Sequence, residues 1–216
     1  MVIFVTSRKL CREPFIERME KLINGRPYAV MLREKDMDQD AYEDLAHELE
    51  KLCRAKGVFL ILNNNKEAAE KIRDCSLHLS IDSLREMGAH TESCKGIGAS
   101  VHSVEEAVEA ESLGAEYLVA GHIYATGCKE GVPPRGTGFL REVCRAVSIP
   151  VYAIGGVKVE RVADIMNAGA AGVCIMNEAM TCDNPGELAG RFWHNISKQK
   201  TKNKHIKNGE IGRINN

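Results

Sequence analysis

The sequence lacks any long hydrophobic segment. No apolar run among its 216 residues approaches the roughly 18 that a membrane-spanning helix needs. The opening residues MVIFVTSRKL hold a short apolar run with no basic residue before it, which does not match a secretory signal. We therefore expect a soluble, cytoplasmic protein without a membrane partner.

Paired cysteines are missing as well. The chain has eight cysteines, but their spacing contains no CxxC pair and no zinc-finger pattern. A chain of this length can bury a core without disulfides, so we expect reduced thiols that mostly fill the core. Neither a disulfide framework nor a structural zinc site is predicted.

An excess of charge of one sign is also missing, since the formal net charge is only −1. The distribution is uneven, because the segment 197–216 carries six Lys or Arg residues and one Glu. A basic tail can contact nucleic acid or an anionic surface, but this one is poor in apolar residues, which favours a solvated, disordered end. We expect one domain over residues 1–196, a disordered tail over 197–216, and no nucleic-acid partner.

Apolar, β-branched runs recur along the chain with helical stretches between them. The predicted strands are residues 2–7, 28–34, 58–63, 76–81, 95–101, 117–122, 150–156 and 172–177. Eight repeats of a strand and a helix, with about 25 residues per unit, predict one closed (β/α)8 barrel, the TIM barrel. An open, doubly wound parallel sheet is the alternative that uses the same alternation.

In this architecture the active site lies at the C-terminal ends of the strands, so the polar residues after each strand are candidates. Arg33 and Lys35 alternate with Glu34 after the second strand, and in a strand both cations would face the same way. Carboxylates are scarce at these positions, because Glu34 is expected to point away and Asp82 stands alone. Mg²⁺ prefers carboxylate oxygens, so we predict neither a metal nor another cofactor.

Two glycines, Gly155 and Gly156, follow the seventh strand, and Ile175, Met176 and Asn177 end the eighth. Barrel enzymes commonly bind a phosphate at these two places, where glycine lets backbone N–H groups approach the anion. The sequence therefore predicts a phosphate site between the two segments.

The stretch VAGHIYATGCKEG places His122 directly after a glycine at the end of the sixth strand. A polar loop with Thr126, Cys128 and Lys129 follows it. A single histidine is more often structural than catalytic, although its ordinary pKa suits proton transfer. His102 follows the fifth strand and precedes a helix N-cap, which favours a structural role.

These segments resemble the thiamine phosphate synthase superfamily, and most closely its thiazole tautomerase (TenI-like) branch. The matching pieces are LREKD, SVHSVEEAVEAESLGAEYLVAGHIYATGCKEG, RGTG, IPVYAIGGV and AGAAGVCIMNEAM, which span the chain to about residue 196. Synthases resemble the chain at the phosphate end but usually carry glutamine at Met31, aspartate at Asn64, a Gly-Gln pair at Ser80 and Ile81, and proline at position 122. The tautomerase branch is similar in GHIYATGCKEG itself.

The resemblance implies a cofactor-independent isomerase of thiamine biosynthesis that aromatises a carboxylated thiazole phosphate, with His122 moving the proton. Two alternatives stay open: a Mg²⁺-dependent thiamine phosphate synthase, and a non-catalytic regulatory protein that binds thiazole or thiamine phosphate. A homo-oligomer is also left open. The residues expected to bind the substrate are Arg33, Lys35, Ser100, Thr126, Cys128, Lys129, Gly155, Gly156, Ile175, Met176 and Asn177.

Overall fold

The computed structural model is a closed barrel of eight parallel strands, and it describes residues 1–72, 74–87, 94–129 and 131–214, with side chains up to residue 202. The strands are β1 (Val2–Val5), β2 (Ala29–Leu32), β3 (Phe59–Asn63), β4 (Cys75–Ser80), β5 (Ile97–Val101), β6 (Tyr117–Gly121), β7 (Val151–Ile154) and β8 (Gly172–Ile175). Each strand pairs with its neighbours in the chain, and β8 closes the barrel on β1. The predicted TIM barrel is confirmed.

Several strands end earlier than the apolar runs predict. β2 ends at Leu32 and β7 ends at Ile154. Beyond β7, Gly155 and Gly156 adopt positive φ angles of 93° and 61°, which turn the chain out of the sheet. In six of the eight strands the functional loop therefore begins one or two residues earlier than predicted.

The helices surround the barrel in the expected alternation. They are α1 (Phe15–Asn24), α2 (Gln39–Lys56), α3 (Lys66–Lys71), α4 (Ile81–Met87), α5 (Val104–Ser112), α6 (Gly136–Ala146), α7 (Val162–Asn167), α8 (Asn177–Thr181) and α9 (Pro185–Ile214). The helix α2 is capped at its start by Asp38, whose side chain accepts the Ala41 N–H at 2.9 Å. It ends at Gly57, which adopts the left-handed conformation.

Alternation along the strands separates two apolar layers. One set of side chains, including Phe4 and Leu62, packs between the sheet and the helices, and the other, including Ile61 and Tyr152, fills the barrel interior. The inward positions of β4 and β5 include the polar residues His78 and Ser100. The interior is thus apolar on most strands and polar on one side.

The last helix, α9, covers the outside of α1 and α7 through buried side chains such as Phe192. Ile196 is the last buried apolar residue among the side chains described, which lies at the predicted boundary. The helix itself continues to Ile214, so the boundary is not an end of secondary structure. The division into a domain of residues 1–196 and a disordered tail of 197–216 stays a prediction.

None of the helices within the described residues is both long enough and apolar enough to cross a bilayer.

Candidate functional site

The barrel mouth, meaning the C-terminal ends of the eight strands and the loops after them, contains a buried carboxylate beside β1 and β2. Glu34 is only 6% exposed, accepts the Thr6 hydroxyl at 2.7 Å, and accepts the Arg8 N–H at 3.0 and 3.1 Å. Thr6 in turn accepts the Arg33 N–H at 2.9 Å. The Glu34 carboxylate therefore links the loops after β1 and β2, and both of its oxygens accept hydrogen bonds from within the protein.

The two cations beside Glu34 lie beyond the end of β2, so the alternation of side chains along a strand does not set their directions. β2 ends at Leu32, so Arg33 and Lys35 both belong to the loop. Lys35 is exposed and Arg33 half-buried. The argument from strand alternation was wrong at these positions, because Glu34 turns inward to Thr6 and Arg8 and the chain leaves the sheet.

At the ends of β3 and β4, polar side chains bind backbone N–H groups or neighbouring side chains. Asn64 adopts a positive φ of 54°, and its side-chain oxygen accepts the Ser80 N–H at 3.3 Å. Asn65 caps α3 by accepting the Ala68 N–H at 2.9 Å. Asp82 is 79% exposed and forms an ion pair with Arg85 at 2.7 Å. In the part of the chain that the structure describes, no group of three or more His, Cys, Asp or Glu residues could hold a metal ion.

The polar side of the interior contains a histidine network. His78 is buried, with Nε2 at 2.8 Å from the Ser100 hydroxyl and Nδ1 at 3.2 Å from the Tyr117 hydroxyl. Burial lowers the pKa of His78 to about 3 and raises the pKa of Tyr117 well above its usual value. At neutral pH the imidazole and the phenol are therefore both uncharged.

His122 is held by the loop after β6. The residue is 5% exposed, its Nε2 lies 3.1 Å from the Val132 carbonyl oxygen, and the peptide bond before it is cis. A carbonyl oxygen only accepts, so Nε2 carries the proton of this hydrogen bond. A Cβ atom at Gly155 would lie 2.2 Å from the His122 Cβ, so the two residues are tightly packed. The imidazole is thus a fixed part of the loop.

The same loop carries three predicted binding residues: Thr126, Cys128 and Lys129. The Thr126 hydroxyl accepts the Cys128 N–H at 3.4 Å, which shapes the short turn Gly127–Lys129. Lys129 Nζ lies 3.3 Å from His102 Nε2, so this ammonium is held over the end of β5. Sequence reasoning treated His102 as structural and missed it as the partner of Lys129.

The predicted phosphate segments are neighbours, because β7 pairs with β8. Gly155 and Gly156 follow β7, and the segment Ile175, Met176 and Asn177 joins β8 to the short helix α8. The Asn177 side chain is exposed. The fold brings the two segments together as the sequence predicts, while phosphate binding there stays a prediction.

Gly156 also has a packing role that the sequence did not indicate. A Cβ atom there would lie 2.5 Å from the Ala125 carbonyl oxygen and 2.8 Å from the Tyr124 Cβ. Its carbonyl oxygen accepts a hydrogen bond from Arg161 at 2.6 Å, and the Arg161 guanidinium lies 4.4 Å from the centre of the Tyr124 ring. The turn after β7 is therefore pressed against the loop after β6.

The predicted residues divide between two sides of the mouth. Ser100 lies in β5, Lys129 follows β6 and the glycine pair follows β7, whereas Arg33 and Lys35 follow β2. The network around His78 was missed, although a signal exists in CSLHLS, where alternation places the histidine on the same face as two serines.

Comparison with known proteins identifies relatives over most of the chain. Residues 2–179 match the profile of a family that is described as "Thiamine monophosphate synthase". Thiamine-phosphate synthase of Shouchella clausii is 36% identical over 166 residues, which cover 76% of this chain and 79% of that protein. Thiamine-phosphate synthase of Pyrococcus horikoshii is 32% identical over 177 residues, which cover 82% of this chain and 84% of that protein.

A solved structure supports the fold. Thiamine phosphate pyrophosphorylase from Pyrococcus furiosus superposes with a TM-score of 0.80 at 24% identity, covering 92% of this chain and 96% of that one. At this identity the likeness concerns the barrel alone.

The isomerase prediction is wrong by these comparisons. Relatives at 30–36% identity over most of the chain are thiamine-phosphate synthases, which are transferases and not tautomerases. The prediction relied on the Gly-His pair in GHIYATGCKEG, and the structure explains that pair by packing. His122 is buried and bonded to the Val132 carbonyl oxygen, so its presence at this corner does not require proton transfer. The catalytic role assigned to His122 in tautomerisation is withdrawn with it.

The extent of the family match agrees with the architecture. Residues 2–179 begin with β1 and end within α8, so the match includes every strand of the barrel. It also confirms the superfamily that the sequence motifs resemble. The chain belongs to the thiamine monophosphate synthase family.

Proposed function

We propose that this chain is a thiamine-phosphate synthase, a transferase that joins a pyrimidine diphosphate to a thiazole phosphate and releases pyrophosphate. The observation that carries the proposal is the 36% identity, over 76% of the chain, to the synthase of Shouchella clausii. The barrel mouth supports it, because glycine backbone, hydroxyl and ammonium groups suited to anions follow neighbouring strands.

The two substrates bring two anionic groups, and the mouth offers two kinds of donor. Gly155 and Gly156, beside Ile175 to Asn177, suit a phosphate monoester held by backbone N–H groups. Ser100 and Lys129, at β5 and the loop after β6, suit the diphosphate. When pyrophosphate leaves with the electron pair of the broken bond, negative charge grows on the leaving oxygen. A hydroxyl and an ammonium fixed beside it stabilise that charge.

The resemblance to synthases also implies Mg²⁺, and the described residues do not fit a protein-bound ion. Asn64 is neutral and already bonded to Ser80, Asp82 is paired with Arg85, and the Glu34 carboxylate is buried among Thr6 and Arg8. Mg²⁺ usually takes one or two protein carboxylates along with substrate oxygens. No step of the proposed reaction is therefore assigned to a metal.

The poor fit of the described residues to Mg²⁺ favours a second candidate, a non-catalytic protein that binds thiazole or thiamine phosphate. A barrel in which Glu34 and Asp82 are engaged within the protein can still bind an anion through glycine amides and lysine. It would lack the groups that position a metal against the diphosphate.

A product assay separates the two candidates. The protein is incubated with the pyrimidine diphosphate and the thiazole phosphate, with Mg²⁺ or with a chelator, and both thiamine phosphate and pyrophosphate are measured. The proposal predicts both products in equal amounts and at a rate proportional to protein concentration. Saturable thiazole phosphate binding without either product would support the binding protein instead.

A further inference from the structure

The network around His78 is assembled by residues from three neighbouring strands. Tyr117 on β6 occupies the space beside Gly98 on β5, where a Cβ atom would lie 2.0 Å from the Tyr117 ring. The ring stacks on His78 of β4 with the centroids 5.5 Å apart and an angle of 28° between planes. Glycine at position 98 therefore creates the room that lets the phenol reach the imidazole.

Hydrogen-bond accounting selects one tautomer of His78. A neutral imidazole has one N–H donor and one acceptor nitrogen. If Nδ1 carried the proton, Tyr117 would accept it, and the phenolic proton would have no acceptor among the residues that the structure describes. An unsatisfied buried donor costs roughly 1–3 kcal/mol. If Tyr117 donates to Nδ1 instead, Nε2 carries the imidazole proton, and the hydroxyl left without an acceptor in the network is that of Ser100, which lies nearer the mouth.

The chosen tautomer fixes the role of Ser100. With the proton on Nε2, His78 donates to the Ser100 oxygen at 2.8 Å, and the hydroxyl proton of Ser100 is free to point elsewhere. His78 is buried whereas Ser100 is half-buried on the inward face of β5, at the register level of Ser80 nearer the mouth. The serine is therefore the member of the network that a ligand in the mouth can contact.

We propose that His78 is a positioning residue that holds Ser100 as a hydrogen-bond donor to the anionic group of the substrate, with Tyr117 setting the His78 tautomer. The inference rests on the proposed function for the identity of that group, the diphosphate. A serine whose oxygen already accepts a hydrogen bond presents its O–H outward, and a charged acceptor strengthens that bond. The network thus makes a neutral hydroxyl into an oriented donor.

The tautomer is tested directly by ¹⁵N NMR of the histidine side chains in the ligand-free protein. The chain has seven histidines, and the resonances of His78 are those lost in His78→Gln. We expect a protonated Nε2 and an unprotonated Nδ1 at pH 7, and a changed pattern in Tyr117→Phe. A protonated Nδ1 in the parent protein would overturn the inference.

The matched control for Tyr117→Phe is Tyr152→Phe. The Tyr152 ring packs against the Tyr117 ring in the same interior, but its hydroxyl contacts Met1 Sδ at 3.2 Å and not the histidine. Each substitution removes one phenolic oxygen from the same cluster. Only Tyr117→Phe should alter the His78 resonances and weaken anion binding, by about 2- to 5-fold, as expected for one neutral hydrogen bond. Equal effects of the two substitutions would count against a role for the tautomer.

The coupling of His78 to Ser100 is tested by a double-mutant cycle with inorganic pyrophosphate as the probe. Calorimetry gives the Kd for the parent, His78→Gln, Ser100→Ala and the double variant. We expect Ser100→Ala to weaken binding by about 10-fold or more, since a hydrogen bond to a charged group contributes roughly 1.5–3 kcal/mol. In the Ser100→Ala background, His78→Gln should have little further effect.

The binding cycle needs no turnover, so it separates this inference from the proposed function. A protein that forms no thiamine phosphate, yet binds pyrophosphate with coupled losses, would contradict the synthase and support the positioning role. Additive losses would mean that His78 acts only through folding, and they would overturn it. A parent protein that does not bind pyrophosphate would also overturn it. Should His78→Gln fail to fold, Tyr117→Phe in the parent and Ser100→Ala backgrounds provides the same cycle.

Discussion

The two halves of the barrel mouth differ in how their polar groups are used. In the half formed by β1 to β4, Glu34, Asn64, Asn65 and Asp82 all have partners within the protein. In the half formed by β5 to β8, the groups are an oriented serine hydroxyl, a lysine held against a histidine, and two glycines with positive φ. The four side chains named in the first half stabilise its loops, although the cations Arg33 and Lys35 also lie there, and the groups named in the second half are the ones we propose as donors to the substrate.

The difference shows that a polar residue after a strand is weak support for function by itself. Asn64 and Asp82 have the position expected of ligand-binding residues in a barrel, yet their side chains stabilise local structure. The informative quantity is whether a polar group has a partner within the protein.

The largest effect is expected for Gly156→Val. The new Cβ would lie 2.5 Å from the Ala125 carbonyl oxygen, and φ of 61° is unfavourable for a β-branched residue. Strain and overpacking together should lower the free energy of unfolding by roughly 2–4 kcal/mol. Urea denaturation measures this, with Gly138→Ala as the control because nothing lies within 4 Å of its Cβ position. Equal stability of the two variants would show that the turn does not depend on glycine.

Lys129→Ala should have the next largest effect, on substrate binding and rate. Loss of an ammonium that contacts a charged group should raise the Kd for pyrophosphate and lower kcat/KM by about 10- to 100-fold. Lys9→Ala is the matched control in the other half, because Lys9 is paired with Asp36 at 3.2 Å. Calorimetry and steady-state kinetics should show Lys9→Ala within about 2-fold of the parent. Equal losses in both variants would contradict the division of the mouth.

Glu34→Gln should lower stability and leave the chemistry intact. The substitution places an amide donor near the Arg8 N–H and the Thr6 hydroxyl, which the carboxylate accepts at 3.0 and 2.7 Å. A cost of roughly 1–3 kcal/mol in the free energy of unfolding is expected for a disrupted buried hydrogen-bond group. The folded variant should retain its kcat. A lost kcat at unchanged stability would place Glu34 in the reaction.

His78 predicts a smaller, pH-dependent effect on stability. Burial lowers its pKa to about 3, whereas a histidine in the unfolded chain titrates near its ordinary value of about 6.5. Between these values the unfolded chain binds more protons, so stability falls as the pH falls through the window. The limit for one group is about 1.4 kcal/mol per pH unit. Between pH 6.5 and 5 the parent should lose more stability than His78→Gln, and parallel pH profiles would contradict the buried, neutral histidine.

Much of the fold could be predicted from the sequence, because each strand is a short β-branched run bounded by turn residues. The ends of the strands could not, since they depend on contacts from elsewhere in the chain. Glu34 continues an apparent strand in the sequence, but its bonds to Thr6 and Arg8 draw it out of the sheet. Tertiary hydrogen bonds, which periodicity does not report, decide where the functional loops begin.

The site was predicted in part for the same reason. The glycine pair after β7 and the segment after β8 follow from strand order alone, and the fold places them side by side. The role of His122 was inferred from a motif, and its burial against Gly155 and the Val132 carbonyl oxygen could not be read from that motif. The role of His78 was not predicted because the residue lies within β4, two residues before the strand ends, and the sequence argument concerned only residues at the strand ends.

We propose a synthase whose substrate-binding residues lie in the β5 to β8 half. The most direct test is the rate of thiamine phosphate formation in the parent, Lys129→Ala and Asp82→Asn. We expect product formation by the parent and an unchanged rate in Asp82→Asn. In Lys129→Ala we expect at least a 10-fold loss, because a charged contact to the substrate is removed. No product from the parent would contradict the synthase itself. A loss in Asp82→Asn as large as in Lys129→Ala would contradict the assignment of the working residues.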